Sequence, residues 1–212
     1  MKNIEIAKKY DEIYCSVGLH PNSVLEKKKE LKKILDLIDN HEKIIAIGEC
    51  GIDLFRSKLN LKDQIECFEQ QISKSVEKQI PFIVHSRNAD KEVLNCIYNF
   101  KDKNIKFILH CFSGSIDFAD KCISLGGLIS FGGLLTFKNN HALRDICKKL
   151  PLEKLLVETD SPYLSPQPFR GKINHPKNSR IILEMISKLK NEDIDLCSNA
   201  IKNNFNKLFN IN

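Results

Sequence analysis

Glu49, His85, His110 and Asp160 are side chains of the types that ligate divalent metal ions, and each follows the same kind of segment. Ile44-Ile45-Ala46-Ile47-Gly48 ends in Glu49, Phe82-Ile83-Val84 in His85 and Phe107-Ile108-Leu109 in His110. Leu155-Leu156-Val157 leads into Glu158-Thr159-Asp160. Short, near-continuous apolar runs rich in β-branched residues read as strands buried on both faces. A histidine or carboxylate ending such a run marks where the strand meets something polar. The steps between the four are 36, 25 and 50 residues (85 − 49, 110 − 85, 160 − 110), near one, one and two strand–helix repeats. Imidazoles and carboxylates at equivalent strand ends, ringing one mouth of a barrel, are a ligand set for Zn²⁺, Mn²⁺ or a similar ion. Four such groups would be costly to bury unpaired. The competing reading is structural: a lone strand-end histidine satisfied by a hydrogen bond, and Glu49 or Asp160 capping a helix or pairing with Arg56 or Arg170. Residue type and spacing alone leave both readings open.

The elements that would position these groups alternate strictly. Strands are predicted at 13–19, 44–47, 82–84, 107–109, 128–131 and 155–157, with amphipathic helices over 23–40, 61–78, 90–100, 116–125 and 140–149. A proline-rich loop, SPQPFRGKINHP, then leads to helices near 177–189 and 191–208. Such alternation predicts an α/β fold with a parallel sheet, either doubly wound or a (β/α)₈ barrel. No glycine-rich phosphate loop follows the first strand, and the chemistry-bearing residues fall at the ends of several strands, as they do in a barrel. No linker or internal repeat divides residues 1–212, which predicts a single domain.

The chain has 212 residues, 42% of them apolar, which suits a packed globule. No apolar run approaches the ~18 residues of a membrane helix, and MKNIEIAKKYDE lacks the apolar core of a signal peptide. The eight cysteines show no C-x-x-C pair and read as reduced thiols, hence a cytoplasmic protein without a membrane partner. A net charge of +6 and a pI near 8.8 are compatible with a polyanionic partner. The densest basic run, Glu26 to Lys33, mixes signs on a helical pattern and predicts a solvated helix face.

Six blocks resemble the TatD family of metal-dependent deoxyribonucleases, within the amidohydrolase-like TIM-barrel superfamily. They are SVGLHP (16–21), AIGECGID (46–53), PFIVHSRNAD (81–90), ILHCFSGS (108–115), LISFGGLLTFKN (128–139) and LPLEKLLVETDSPYLSPQPFRGKINHP (150–176). Their order and spacing agree over nearly the whole chain, and the block around ETDSP is the most specific.

The resemblance implies a divalent-metal hydrolase of phosphodiester bonds, a DNase acting as a 3′–5′ exonuclease or an endonuclease, with DNA or another nucleic acid as its partner. It implies that Glu49 bridges two ions, that His85 and His110 complete the shell of one, and that Asp160 binds the other and orients or deprotonates the attacking water. The metal could be Mg²⁺, Mn²⁺ or Zn²⁺. Arg87 and Arg170 are candidates for a forked phosphate contact, the alternative being a surface salt bridge. His20 is a candidate substrate contact, the alternative being a turn residue before Pro21. Phe137, Lys138, Phe169 and Lys172 are candidate nucleic-acid contacts. Ser113-Gly114 reads as a tight turn leaving the strand. No covalent-nucleophile motif competes, and nothing marks an obligate protein partner.

One family feature is missing. The resemblance implies an opening strand with H-x-H, and the sequence contains no H-x-H. Residues 1–9 read instead as the tail of a helix. The expected fold is therefore a TIM-barrel-like (β/α)₈ lacking about its first two βα units, six strands being legible where a closed barrel has eight. That loss would leave one ion with its protein ligands and the other with only Glu49 and Asp160. Hydrolysis of another ester, such as an aminoacyl-tRNA linkage, and a catalytically impaired fragment are the alternatives.

Overall fold

In the computed structural model of the protein, residues 2–56 and 60–211 are described. The chain divides into two compact units, Met1–Ile108 and Leu109–Asn212. Six strands occur among the described residues, at the six predicted places: β1 (Cys15–Val17), β2 (Ile44–Asp53), β3 (Phe82–Arg87), β4 (Phe107–Leu109), β5 (Gly127–Phe131) and β6 (Leu155–Val157). They take their places in the sheet in chain order. The pairs β1–β2, β2–β3 and β5–β6 are parallel.

In the first unit, α1 (Lys2–Lys9) precedes β1. The helix predicted over 23–40 is broken into α2 (Val24–Lys27), α3 (Leu31–Leu35) and intervening 3₁₀ turns. Val24, Leu31 and Leu35 are buried, but Glu26 to Glu30 contribute nothing to the core. Helices draw most of their stability from a packed apolar face, and this run has too few apolar residues to seat one continuous helix. Its lysines lie on the surface as predicted, Lys28 Nζ 2.7 Å from both Asp63 and Glu66. Exposed pairs of this kind contribute little.

Helix α4 (Leu61–Lys78) has the predicted bounds. Its buried residues Gln64, Cys67, Phe68, Gln71, Ile72 and Ser75 follow the helical repeat. Phe68 packs edge-on against Phe82, which stacks on Phe107 with centroids 5.2 Å apart. All three are fully buried, and each such side chain contributes about 1.5–3 kcal/mol relative to exposure. Two buried glutamines on the same face hold backbone. Gln71 Oε1 accepts from Leu19 N at 2.7 Å while its amide donates to Leu19 O at 3.2 Å. Two turns earlier, Gln64 Oε1 accepts from Asp53 N at 2.8 Å. Helix α5 (Asp90–Tyr98) follows β3.

The second unit builds β5 and β6 with α6 (Ile116–Ser124), α7 (His141–Lys149), α8 (Ser179–Lys190) and α9 (Ile194–Phe209). Ser115 caps α6 by accepting from Phe118 N at 3.2 Å. Asn204 of α9 donates to Leu152 O and Leu155 O, both at 2.9 Å, and so ties the helix to the start of β6. None of the eight cysteines forms a disulfide. No helix among the described residues is long and apolar enough to cross a membrane.

Strand β2 departs from expectation. It runs on to Asp53 rather than stopping at Ile47. Its pairing with β3 shifts between Ile47 and Cys50: three steps along β2 match the two from Phe82 to Val84 along β3. Such a bulge re-aims side chains and is common beside functional sites. Gly51 then pairs with His85 at φ +133°, where a Cβ would lie 2.1 Å from His85 O. Only glycine fits there. Gly51→Ala is expected to destabilise the protein by at least about 2 kcal/mol, measured by urea unfolding. An unchanged midpoint would mean that the two strands do not pass this closely.

Candidate metal centre

In the first unit the site grows out of the irregular β2. Glu49 and Asp53 lie two residues to either side of Gly51, and His85 lies in register opposite Gly51. The imidazole spans the two carboxylates, with Nδ1 2.9 Å from Glu49 Oε1 and Nε2 3.1 Å from Asp53 Oδ2. His20, on the loop after β1, brings Nε2 to 3.7 Å from Glu49 Oε1, and its ring meets that of His85 edge-on with centroids 4.6 Å apart. Gln71 positions this loop through Leu19.

Asp53 fixes the chemistry of His85. Its side chain is 0% exposed. Oδ1 accepts from Phe55 N at 3.0 Å and Arg56 N at 2.9 Å, and Oδ2 accepts from Asn22 Nδ2 at 3.4 Å. Burial pushes the Asp53 carboxyl up, but the Arg56 backbone donor, His85 and Asn22 outweigh it and hold the carboxyl below its ordinary value. A charged carboxylate only accepts, so His85 donates Nε2–H to it. In the neutral ring the lone pair is then on Nδ1, facing a Glu49 oxygen at 2.9 Å. Two acceptors at that distance repel unless a second proton or a metal ion lies between them. The residues thus fit a cation, and ligand atoms of His20, Glu49 and His85 all lie within 4.8 Å of one another.

His20 plays a different part. Its Nδ1 accepts from Asn22 N at 3.1 Å, so a neutral ring carries its proton on Nε2 and turns a donor toward Glu49. That arrangement suits hydrogen bonding to a carboxylate or a bound anion better than metal ligation.

In the second unit His110 lies one residue past β4, where the chain turns at once, Cys111 having φ +46°. The turn is therefore at His110–Cys111 rather than at Ser113-Gly114, which leads into the Ser115 cap. The nitrogen Nδ1 of His110 is 2.5 Å from Glu158 Oε2. Glu158 continues the β5–β6 pairing, its N donating to Phe131 O at 3.1 Å. Asp160, half-buried, follows two residues later, and its carbonyl accepts from Tyr163 N at 2.6 Å.

The two candidate phosphate-binding arginines, both exposed, lie on aromatic rings rather than carboxylates. Arg87 stacks on Phe55 at 3.8 Å from the ring centroid, and Arg170 on Phe137 at 4.3 Å. The structure thus brings His20, Glu49 and His85 together in one unit and places His110, Asp160 and Arg170 in the other. It adds residues that sequence reasoning missed: Asp53, Gln71 and Glu158. The block AIGECGID carried the signal for Asp53, two residues beyond Gly51. Glu158 occupies the same post-strand position as His110.

Comparison with known proteins decides the family. The family model described as TatD related DNase matches residues 1–210. The chain belongs to that family. It is 35% identical to the metal-dependent hydrolase YabD of Bacillus subtilis over 209 residues, spanning 99% of this chain and 82% of YabD. It is 39% identical to the metal-dependent hydrolase BU355 of Buchnera aphidicola, spanning 98% of this chain and 81% of that protein. Among solved structures, the TatD homologue YJJV of Escherichia coli superposes with a TM-score of 0.90 at 29% identity, covering 100% of this chain and 82% of that one. The chain is accordingly a TIM-barrel-like, metal-dependent hydrolase.

Carboxylates that orient a metal-binding histidine typically control metal affinity by 10–100-fold. Asp53→Asn is therefore expected to weaken Mn²⁺ or Zn²⁺ binding by about 10–100-fold, read by calorimetric titration. Affinity equal to the wild type would remove Asp53 from the site.

Proposed function

We propose that this TatD-family member hydrolyses phosphodiester bonds, acting as a metal-dependent DNase. Glu49, His85, His110 and Asp160 serve as ligands to one or two divalent ions, Mg²⁺, Mn²⁺ or Zn²⁺. The observation that carries the reading is the His85 ring held between two carboxylates, Nε2 at 3.1 Å from Asp53 and Nδ1 at 2.9 Å from Glu49, a geometry that suits a cation at Nδ1. The name of the matched family model supports the choice of substrate. When bound, such ions lower the pKa of a coordinated water and stabilise charge on the attacked phosphate and its leaving oxygen.

The protein's own groups divide the remaining work. Glu49 supplies negative charge to the ions. Asp53 holds the His85 ring through Nε2 and so turns Nδ1 toward Glu49. Asp160 orients the attacking water and accepts its proton. His20, whose Nε2–H is turned toward Glu49, donates to a substrate oxygen beside that carboxylate. Arg87 and Arg170 offer planar, always-charged forks whose stacking on Phe55 and Phe137 limits their rotamers, which suits a forked phosphate contact. Phe169 and Lys172 flank Arg170 in the sequence, and Phe137 is the ring on which Arg170 stacks; these three and Lys138 would contact the nucleic-acid strand.

The test is cleavage of single-stranded DNA in Mn²⁺ by the wild type, His85→Ala and Asp160→Ala. Loss of an orienting group already costs 10–100-fold, so loss of a ligand is expected to reduce the rate by at least about 100-fold. Equal rates in all three proteins would reject these ligands. A wild type that binds Mn²⁺ and leaves DNA intact would point to another ester, such as an aminoacyl-tRNA linkage.

A further inference from the structure

The carboxylate of Glu158 is divided between two environments. Its Oε2 meets the His110 ring nitrogen Nδ1 at 2.5 Å and accepts from Ser130 Oγ at 3.1 Å. Its Oε1 is buried and has no hydrogen-bond partner. A Cβ at position 132 would lie 3.0 Å from that oxygen, so glycine at 132 leaves the carboxylate its room. A buried acceptor without a donor is costly, and Glu158 keeps one while committing its other oxygen to a histidine.

We propose that Glu158 is a positioning residue: it holds His110 with the proton on Nδ1, leaving the Nε2 lone pair to bind a divalent ion. The derivation uses only donors and acceptors. An ionised carboxylate accepts and never donates, and the Ser130 hydroxyl already donates to the same oxygen. With Glu158 as a carboxylate, the nitrogen facing Oε2 carries the hydrogen. In a neutral imidazole the other nitrogen then bears the lone pair. Ser130 fixes which carboxylate oxygen is presented, and the Glu158 N to Phe131 O bond fixes where the side chain starts. Imidazole nitrogen held this way suits Zn²⁺ and neighbouring transition ions. Without Glu158 the Nδ1–H tautomer loses the acceptor that selects it, and the opposite tautomer turns hydrogen rather than a lone pair toward the ion. The inference rests on the proposed ligation by His110, and its test separates the two.

The experiment records ¹⁵N shifts of the His110 ring in metal-free protein, at a pH above the ring's titration, for wild type, Glu158→Gln and Glu158→Ala. Zn²⁺ affinity is measured on the same proteins and on His110→Ala. The wild type is expected to show the Nδ1–H tautomer, and both Glu158 variants a shift toward Nε2–H with Zn²⁺ affinity lowered about 10–100-fold. Glu158→Gln keeps the side-chain shape, so a thermal midpoint close to wild type separates misorientation from misfolding. An Nε2–H tautomer in the wild type overturns the proposal, as does an unchanged tautomer or an unchanged affinity in Glu158→Gln. If His110→Ala also binds Zn²⁺ normally, the ligand assignment has failed. If it loses affinity while Glu158→Gln does not, only the role of Glu158 has failed.

Discussion

An imidazole held between two carboxylates cannot satisfy both with one hydrogen. His85 donates to Asp53, which is buried and acceptor-only, and the neutral ring then faces Glu49 with a lone pair. Electrostatic repulsion between those two acceptors is relieved by a second proton or a metal ion between them. The rest of the first unit can be understood as the means of keeping the three side chains in that arrangement. Two backbone donors and Asn22 hold Asp53 ionised, and burial removes the water that would otherwise dilute its hold on the ring.

The supports come from the strands and from one helix. A bulge in β2 and the close pass at Gly51 set Glu49 and Asp53 around His85. Behind them α4 reaches in with two buried glutamines, one on the Asp53 backbone and one on the loop that carries His20. A buried amide with both its donor and acceptor used costs little and fixes geometry. The apolar stack of Phe68, Phe82 and Phe107 anchors the helix and the neighbouring strands in the same unit.

Much of this was legible in the residues, and the failures have physical causes. Six strands and the exact span of α4 followed from apolar periodicity, because burial on both faces leaves continuous runs and burial on one leaves a helical stripe. The stretch 23–40 departs from one continuous helix because Glu26 to Glu30 supply no apolar residue between the buried Val24 and Leu31. Glu49 follows an apolar run as a strand end would, yet it lies inside β2: glycines at 48 and 51 let the strand continue irregularly, which periodicity cannot show. Asp53 and Glu158 look like ordinary acidic residues until their histidine partners are seen. Gln64 and Gln71 were hidden for the reverse reason, as polar residues on the buried face of a helix.

The most direct measurement is anomalous diffraction from crystals of the protein grown with Mn²⁺. The account predicts a peak within coordination distance of both His85 Nδ1 and the Glu49 carboxylate, with His85 Nε2 still on Asp53. No peak between those groups, or a metal bound through His85 Nε2, would contradict it.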